Sequence, residues 1–103
     1  MLIKFKILIY YMCLEYNISN YSLQKAEELN VVIKQSIYPS KKLDVFKNDV
    51  LICSIGNKKF TDYPTLLSSC NDKNFIYEKR RLFKKRNKYD RTIEGFYTNK
   101  LLW

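Results

Sequence analysis

Nine lysines and arginines fall between residues 73 and 91, interleaved with Phe75, Ile76, Leu82, Phe83 and Tyr89, and this mixture narrows what the segment can become. The apolar residues recur at intervals close to seven, the spacing of one helical stripe. Asp72 stands in front of them as an N-cap. The spacing predicts a helix from about Lys73 to Tyr89. At about 100° per residue, Arg80, Arg81, Lys84, Lys85 and Lys88 gather on the arc opposite the stripe, with Tyr77 among them. Lys79 and Arg86 project toward the apolar side, where each either snorkels to the edge or meets a buried carboxylate, with Asp62 and Asp44 as candidates.

Such a stripe needs a partner surface, and the preceding residues supply one. Residues 19–29 combine Asn20 or Ser22 as a candidate cap with good helix formers and place Leu23, Ala26 and Leu29 on one side. After Asn30, the β-branched run 31–37 reads as a strand stopped by Pro39-Ser40. Leu43–Phe46 and Val50–Ile55 flank the turn-like triplet Lys47-Asn48-Asp49, which predicts a hairpin. Gly56-Asn57 predicts a second turn, followed by an irregular segment around Asp62-Tyr63-Pro64. Gly95 breaks the chain, and the apolar tail 96–103 docks back through Trp103. The expected fold class is α+β: a small antiparallel meander over roughly residues 31–60, packed against one long basic C-terminal helix and a short N-terminal helix.

Residues 1–103 suit a single domain, which at this length buries about 60–70% of its unfolded surface. A hydrophobic fraction of 47%, with nine Tyr and six Phe, supplies enough apolar area for a core and argues against disorder. Lys4 and Lys6 precede an apolar stretch that imitates a signal peptide, but no small-residue cleavage site follows, and the stretch falls short of the ~20 residues of a membrane span. Residues 1–18 are expected to form a peripheral edge strand, unless Met12 is the true start. Neither secretion nor a membrane partner is expected. Cys13, Cys53 and Cys70 lie far apart in a chain without histidine, so neither a zinc site nor a disulfide framework is indicated. Lack of histidine also removes the usual general base. Asp44, Asp49, Asp62 and Asp72 match no nuclease spacing, two of them lying in turns where Asp is ordinary. The expectation is a protein that is not an enzyme and uses no cofactor or metal.

Charge is the feature with functional content. Residues 73–91 carry +7 of the net +9, while the remaining ten basic and eight acidic residues leave only +2. Like charges four apart, such as Arg80 with Lys84 and Arg81 with Lys85, repel by a few tenths of a kcal/mol (roughly) per pair. A bound polyanion relieves that repulsion. A merely solvated face, nucleic acid and an acidic protein surface all fit the pattern, and nucleic acid, DNA ahead of RNA, is the commonest such anion. The candidate contacts are Arg80, Arg81, Lys84, Lys85, Lys88 and Arg91. Tyr63 and Tyr77, near basic residues, could stack on unpaired bases or belong to the core, and the same holds for Phe96 and Tyr97.

From about Val32 onward, a series of short blocks occurs in a definite order: Ile33-Lys34-Gln35-Ser36, Lys41-Lys42-Leu43-Asp44-Val45, Ile55-Gly56, Asp62-Tyr63-Pro64, Lys79-Arg80-Arg81-Leu82-Phe83-Lys84-Lys85-Arg86, then Gly95-Phe96 and Leu101-Leu102-Trp103. This order resembles a family of small basic proteins encoded by tailed phages and giant DNA viruses. The resemblance covers about two thirds of the chain. Phe83 and Asn87 stand where the family pattern has Tyr and His, so no role resting on that histidine transfers. The resemblance implies a viral accessory protein of the host-cell cytoplasm or virus factory, or one packaged in the virion. It also implies a second partner class, a viral capsid protein that the basic helix would cement.

Overall fold

The computed structural model describes residues 16–103. Residues 1–15 of the N-terminal edge strand that the sequence predicts over 1–18, and Cys13 with them, lie outside the described residues, and residues 16–18 are not in a strand. Among the described residues the order is α1 (Asn20–Glu28), β1 (Val32–Gln35), β2 (Lys41–Lys47), β3 (Val50–Asn57), α2 (Tyr63–Ser69), α3 (Lys73–Arg86) and α4 (Ile93–Leu102). The fold is α+β, an antiparallel meander in the order β1-β2-β3 with helices packed against it. α4 lies directly on β3 and also touches α1. α3 packs beside α2 and reaches the core through Ile76 and Phe83.

Strand alternation builds the core face. Val45 of β2 sits opposite Ile33 of β1 and Cys53 of β3, and Leu43 sits opposite Ile55. All five are buried, together with Leu101, Leu102 and Trp103 from the end of the chain. The hairpin turn is two residues long, Asn48 and Asp49, with φ of 52° and 64°. Positive φ at both central positions gives the turn the same twist as its strands, so Lys47 stays in β2.

Several boundaries differ from the expectations. The first strand is shorter than 31–37, because Ser36 and Ile37 fold back over Asp44, whose carboxylate accepts from the Ile37 amide at 3.1 Å and from Ser54 Oγ at 2.6 Å. α1 is capped by Ser19 rather than Asn20 or Ser22. Ser22 is instead buried and donates its hydroxyl to the Leu101 carbonyl at 2.7 Å, while Leu23 of the expected stripe is exposed. Gly56 belongs to β3, where its φ of 79° and the absence of a side chain let α4 approach: a Cβ would lie 2.9 Å from Leu102 Cδ1.

Two helices stand where the sequence predicts an irregular segment around Asp62-Tyr63-Pro64 and an apolar tail after a break at Gly95. Asp62 caps α2, accepting from the Thr65 amide at 2.9 Å, and Pro64 fits the first turn because it has no N–H to lose. Thr92 caps α4 through the Gly95 amide at 3.0 Å, so Gly95 is a helical residue and not a break. Its role is steric, since a Cβ there would fall 2.2 Å from Asp90 Oδ2. α3 starts at Lys73 behind the Asp72 cap as expected, but ends at Arg86 rather than Tyr89.

Candidate nucleic-acid interface

Which way α3 faces is decided by residues at spacings of three and four. Ile76 is 4% exposed, and Phe83 stacks on Trp103 with ring centres 4.5 Å apart and planes 8° from parallel. Arg80 lies between them on the same inner side. Its Nε donates to the main-chain oxygen of Trp103 at 2.6 Å, and its guanidinium sits 4.5 Å above the Tyr63 ring. Lys84 follows one turn later, donating to Asn99 Oδ1 at 2.6 Å. Burial, followed by the charges of Arg80, Lys100 and Lys25, lowers the pKa of Lys84.

The predicted cationic arc is therefore split. Arg80 and Lys84 face the interior, while Arg81, Lys85, Lys88 and Arg91 are exposed, with Tyr77 beside them at 64% exposure. Arg81 is held by Glu78, Nε to Oε2 at 3.2 Å, but both side chains are more than half exposed and such a pair contributes little. Lys88 Nζ lies 4.8 Å over the Tyr89 ring. Of the two stacking candidates, Tyr77 is open, whereas the Tyr63 ring is covered by Arg80 and meets Tyr21 edge-on at 5.4 Å. Phe75, Leu82 and Tyr89, assigned to the apolar stripe by spacing, are exposed.

Neither buried carboxylate meets Lys79 or Arg86. Asp62, 1% exposed, takes Lys42 Nζ at 2.6 Å and the Tyr16 hydroxyl at 2.7 Å, besides the Thr65 amide. Lys42 completes its shell on the Phe60 carbonyl at 2.7 Å. Burial opposes ionisation of Asp62, but the hydrogen bonds from Lys42, Thr65 and Tyr16 prevail and hold its carboxyl below the usual range. Burial, reinforced by Asp62, pushes the Tyr16 hydroxyl up. For Asp44, burial is likewise outweighed, by Ser36, Ser54 and the Ile37 amide.

Lys79 and Arg86 line a cleft of about 630 Å³ between α3 and the end of the sheet where β2 begins and β3 stops. Lys41 enters from β2, Phe60 stands at the lip with 70% of its surface exposed, and Phe83 and Trp103 form part of the wall. Sequence spacing did not reveal this cleft, because Lys41 and Phe60 join Lys79 and Arg86 only through the fold. The pairing of Phe60 with the preceding Lys58-Lys59 was the available signal.

Among the described residues, no three His, Cys, Asp or Glu side chains are grouped to hold a metal ion. No helix among them is long and apolar enough to cross a membrane. Cys53 and Cys70 are free thiols. No family model, no curated protein and no solved structure matches the chain.

Proposed function

We propose that the protein is a non-enzymatic binder of nucleic acid, with DNA as its main partner, and that Arg81 and Lys85 on the outer face of α3, with Lys88 and Arg91 just beyond its end, contact phosphates. The observation that carries this reading is the one-sided exposure of α3: Arg80 and Lys84 are used internally, whereas Arg81 and Lys85 point outward with Glu78 as the one carboxylate on the helix, and Lys88 and Arg91 follow beyond its end on either side of Asp90. Arg81 and Lys85 are four residues apart on α3, about one turn, and Lys88 and Arg91 carry the charge into the turn beyond its Arg86 end. Contacts of this type are strong at low salt and insensitive to sequence. The resemblance to small basic viral proteins agrees with a genome-associated role in the infected cell or the virion.

Charge reversal tests the assignment. Arg81→Glu combined with Lys85→Glu is expected to abolish the mobility shift of DNA at low salt while the circular dichroism spectrum and unfolding midpoint stay close to wild type, since both side chains are exposed. Unchanged DNA binding would refute it. If the variant instead lost binding to assembled capsids while the wild type ignored DNA, the partner would be a capsid surface.

A further inference from the structure

We infer that the cleft between α3 and the β2–β3 end of the sheet is a subsite for one unstacked nucleotide of a single-stranded nucleic acid, its phosphate held by Lys79, Arg86 and Lys41 and its base laid against Phe60. The inference rests on the nucleic-acid reading above and assigns that protein a second, strand-selective contact.

Charge comes first. Lys41, Lys79 and Arg86 all line the cleft, and the one carboxylate side chain among its lining residues, Asp62, is already matched by Lys42 at 2.6 Å. The side chains of the recess thus carry an excess of three positive charges drawn from two elements, and protein walls around such a recess concentrate the field on an entering anion. None of the three cations is consumed by another carboxylate: Arg86 Nε donates to the Leu82 carbonyl at 3.3 Å, and Lys79 Nζ rests 5.5 Å over the Phe75 ring.

The apolar part has the complementary shape. Phe83 and Trp103 satisfy each other by stacking, which leaves Phe60 as the ring with an open face. A phenylalanine exposed this far contributes little to the core, and a base placed on it would bury both rings. Two amides flank the site with complementary groups left over. Asn87 donates its amide nitrogen to the Phe83 carbonyl at 2.8 Å and keeps its carbonyl oxygen, whereas Asn57 uses its carbonyl oxygen on the Lys59 amide at 2.9 Å and keeps its NH2. The cleft volume of about 630 Å³ lies inside the range of roughly 300–1,000 Å³ typical of small-ligand sites. It admits one nucleotide and excludes a duplex, in which both faces of every base are already covered. Single strands, with faces available for stacking, are therefore the ligand this cleft distinguishes.

The chain has a single tryptophan, and it lies in the cleft wall, so the site reports on itself. The experiment follows Trp103 fluorescence and the anisotropy of a labelled oligothymidylate of about 12 nucleotides, within the usual site size for such proteins, in parallel with a duplex of equal length. The single strand is expected to change Trp103 emission and the duplex to leave it unaltered. Phe60→Ala, a surface change, should weaken single-strand binding about tenfold or more without affecting the duplex, and Phe60→Tyr should retain it. A silent Trp103, or equal single-strand affinity for wild type and Phe60→Ala, would overturn the inference. So would polyglutamate of the same charge displacing the oligonucleotide as well as unlabelled strand does. If both nucleic acids bind alike and Arg81→Glu with Lys85→Glu weakens both while Phe60→Ala does nothing, the cleft is excluded and the α3 reading stands. If wild type binds neither at low salt, both fall together.

Discussion

Asp62→Ala is the substitution that the fold should tolerate least. The carboxylate is 1% exposed and accepts three hydrogen bonds, from Lys42 at 2.6 Å, Tyr16 at 2.7 Å and the Thr65 amide at 2.9 Å. Removing it leaves the ammonium of Lys42, a residue only 5% exposed, with the Phe60 carbonyl as its remaining acceptor. Breaking one side of a buried ion pair costs about 3–5 kcal/mol. The lost cap of α2 contributes about 1 kcal/mol, but the two effects share one side chain and overlap, so about 4 kcal/mol in total is expected. A domain of this kind has about 5–15 kcal/mol of stability, and at a urea slope of about 1–3 kcal/mol per molar the midpoint should fall by more than 1 M. Urea unfolding followed by Trp103 fluorescence and by far-ultraviolet circular dichroism measures it. The double variant Asp62→Leu with Lys42→Met, which removes both charges, should recover much of the loss, because buried pairs are often replaceable by apolar residues. A single-variant loss below about 1 kcal/mol, the range of a solvated surface pair, would refute the reasoning, as would a double variant no more stable than the single one.

Acid should unfold the domain through the same group. Asp62 and Asp44 are held below the ordinary carboxylate range when folded, so the unfolded chain takes up protons first as pH falls. Their stabilisation is complete above about pH 4, the unfolded value, and is lost progressively below it; a urea midpoint unchanged between neutrality and about pH 3 would contradict this. Cysteine labelling should be selective. Burial, then the charges of Glu94 and Asp44, pushes the Cys53 thiol up to about 11, whereas Cys70 is only half buried. At about pH 8 an alkylating reagent should modify Cys70 and spare Cys53 until the protein unfolds, and equal rates at the two sites by peptide mass mapping would contradict the packing described.

The features legible in the sequence were those with a local cause. The hairpin followed from strand-like runs on either side of Lys47-Asn48-Asp49, in which the Asn48 and Asp49 side chains tolerate positive φ. The start of α3 followed from Asp72, and the docking of Trp103 from an apolar tail with nowhere else to go. The features that escaped depend on distant partners. Gly95 looks like a helix breaker until Asp90 is seen lying against it. At seven residues α2 is too short to show a period, although Asp62, Pro64 and Thr65 carry a complete start signal. α3 is rotated by about a third of a turn (roughly 100°, one residue's step) from the orientation its apolar spacing predicts, so that Phe75 and Leu82 are exposed and Arg80 points inward. Only the Tyr63 ring and the Trp103 carbonyl make an inward guanidinium favourable, and both come from other parts of the chain.

Salt dependence of DNA binding tests the assignment of α3 most directly. With Arg81, Lys85, Lys88 and Arg91 each neutralising one phosphate, the logarithm of the duplex binding constant should fall against the logarithm of salt concentration with a slope of about −3.6. Arg81→Gln with Lys85→Gln should flatten it by about two units. A wild-type slope near zero, or the same slope in the double variant, would contradict a phosphate-binding face on this helix.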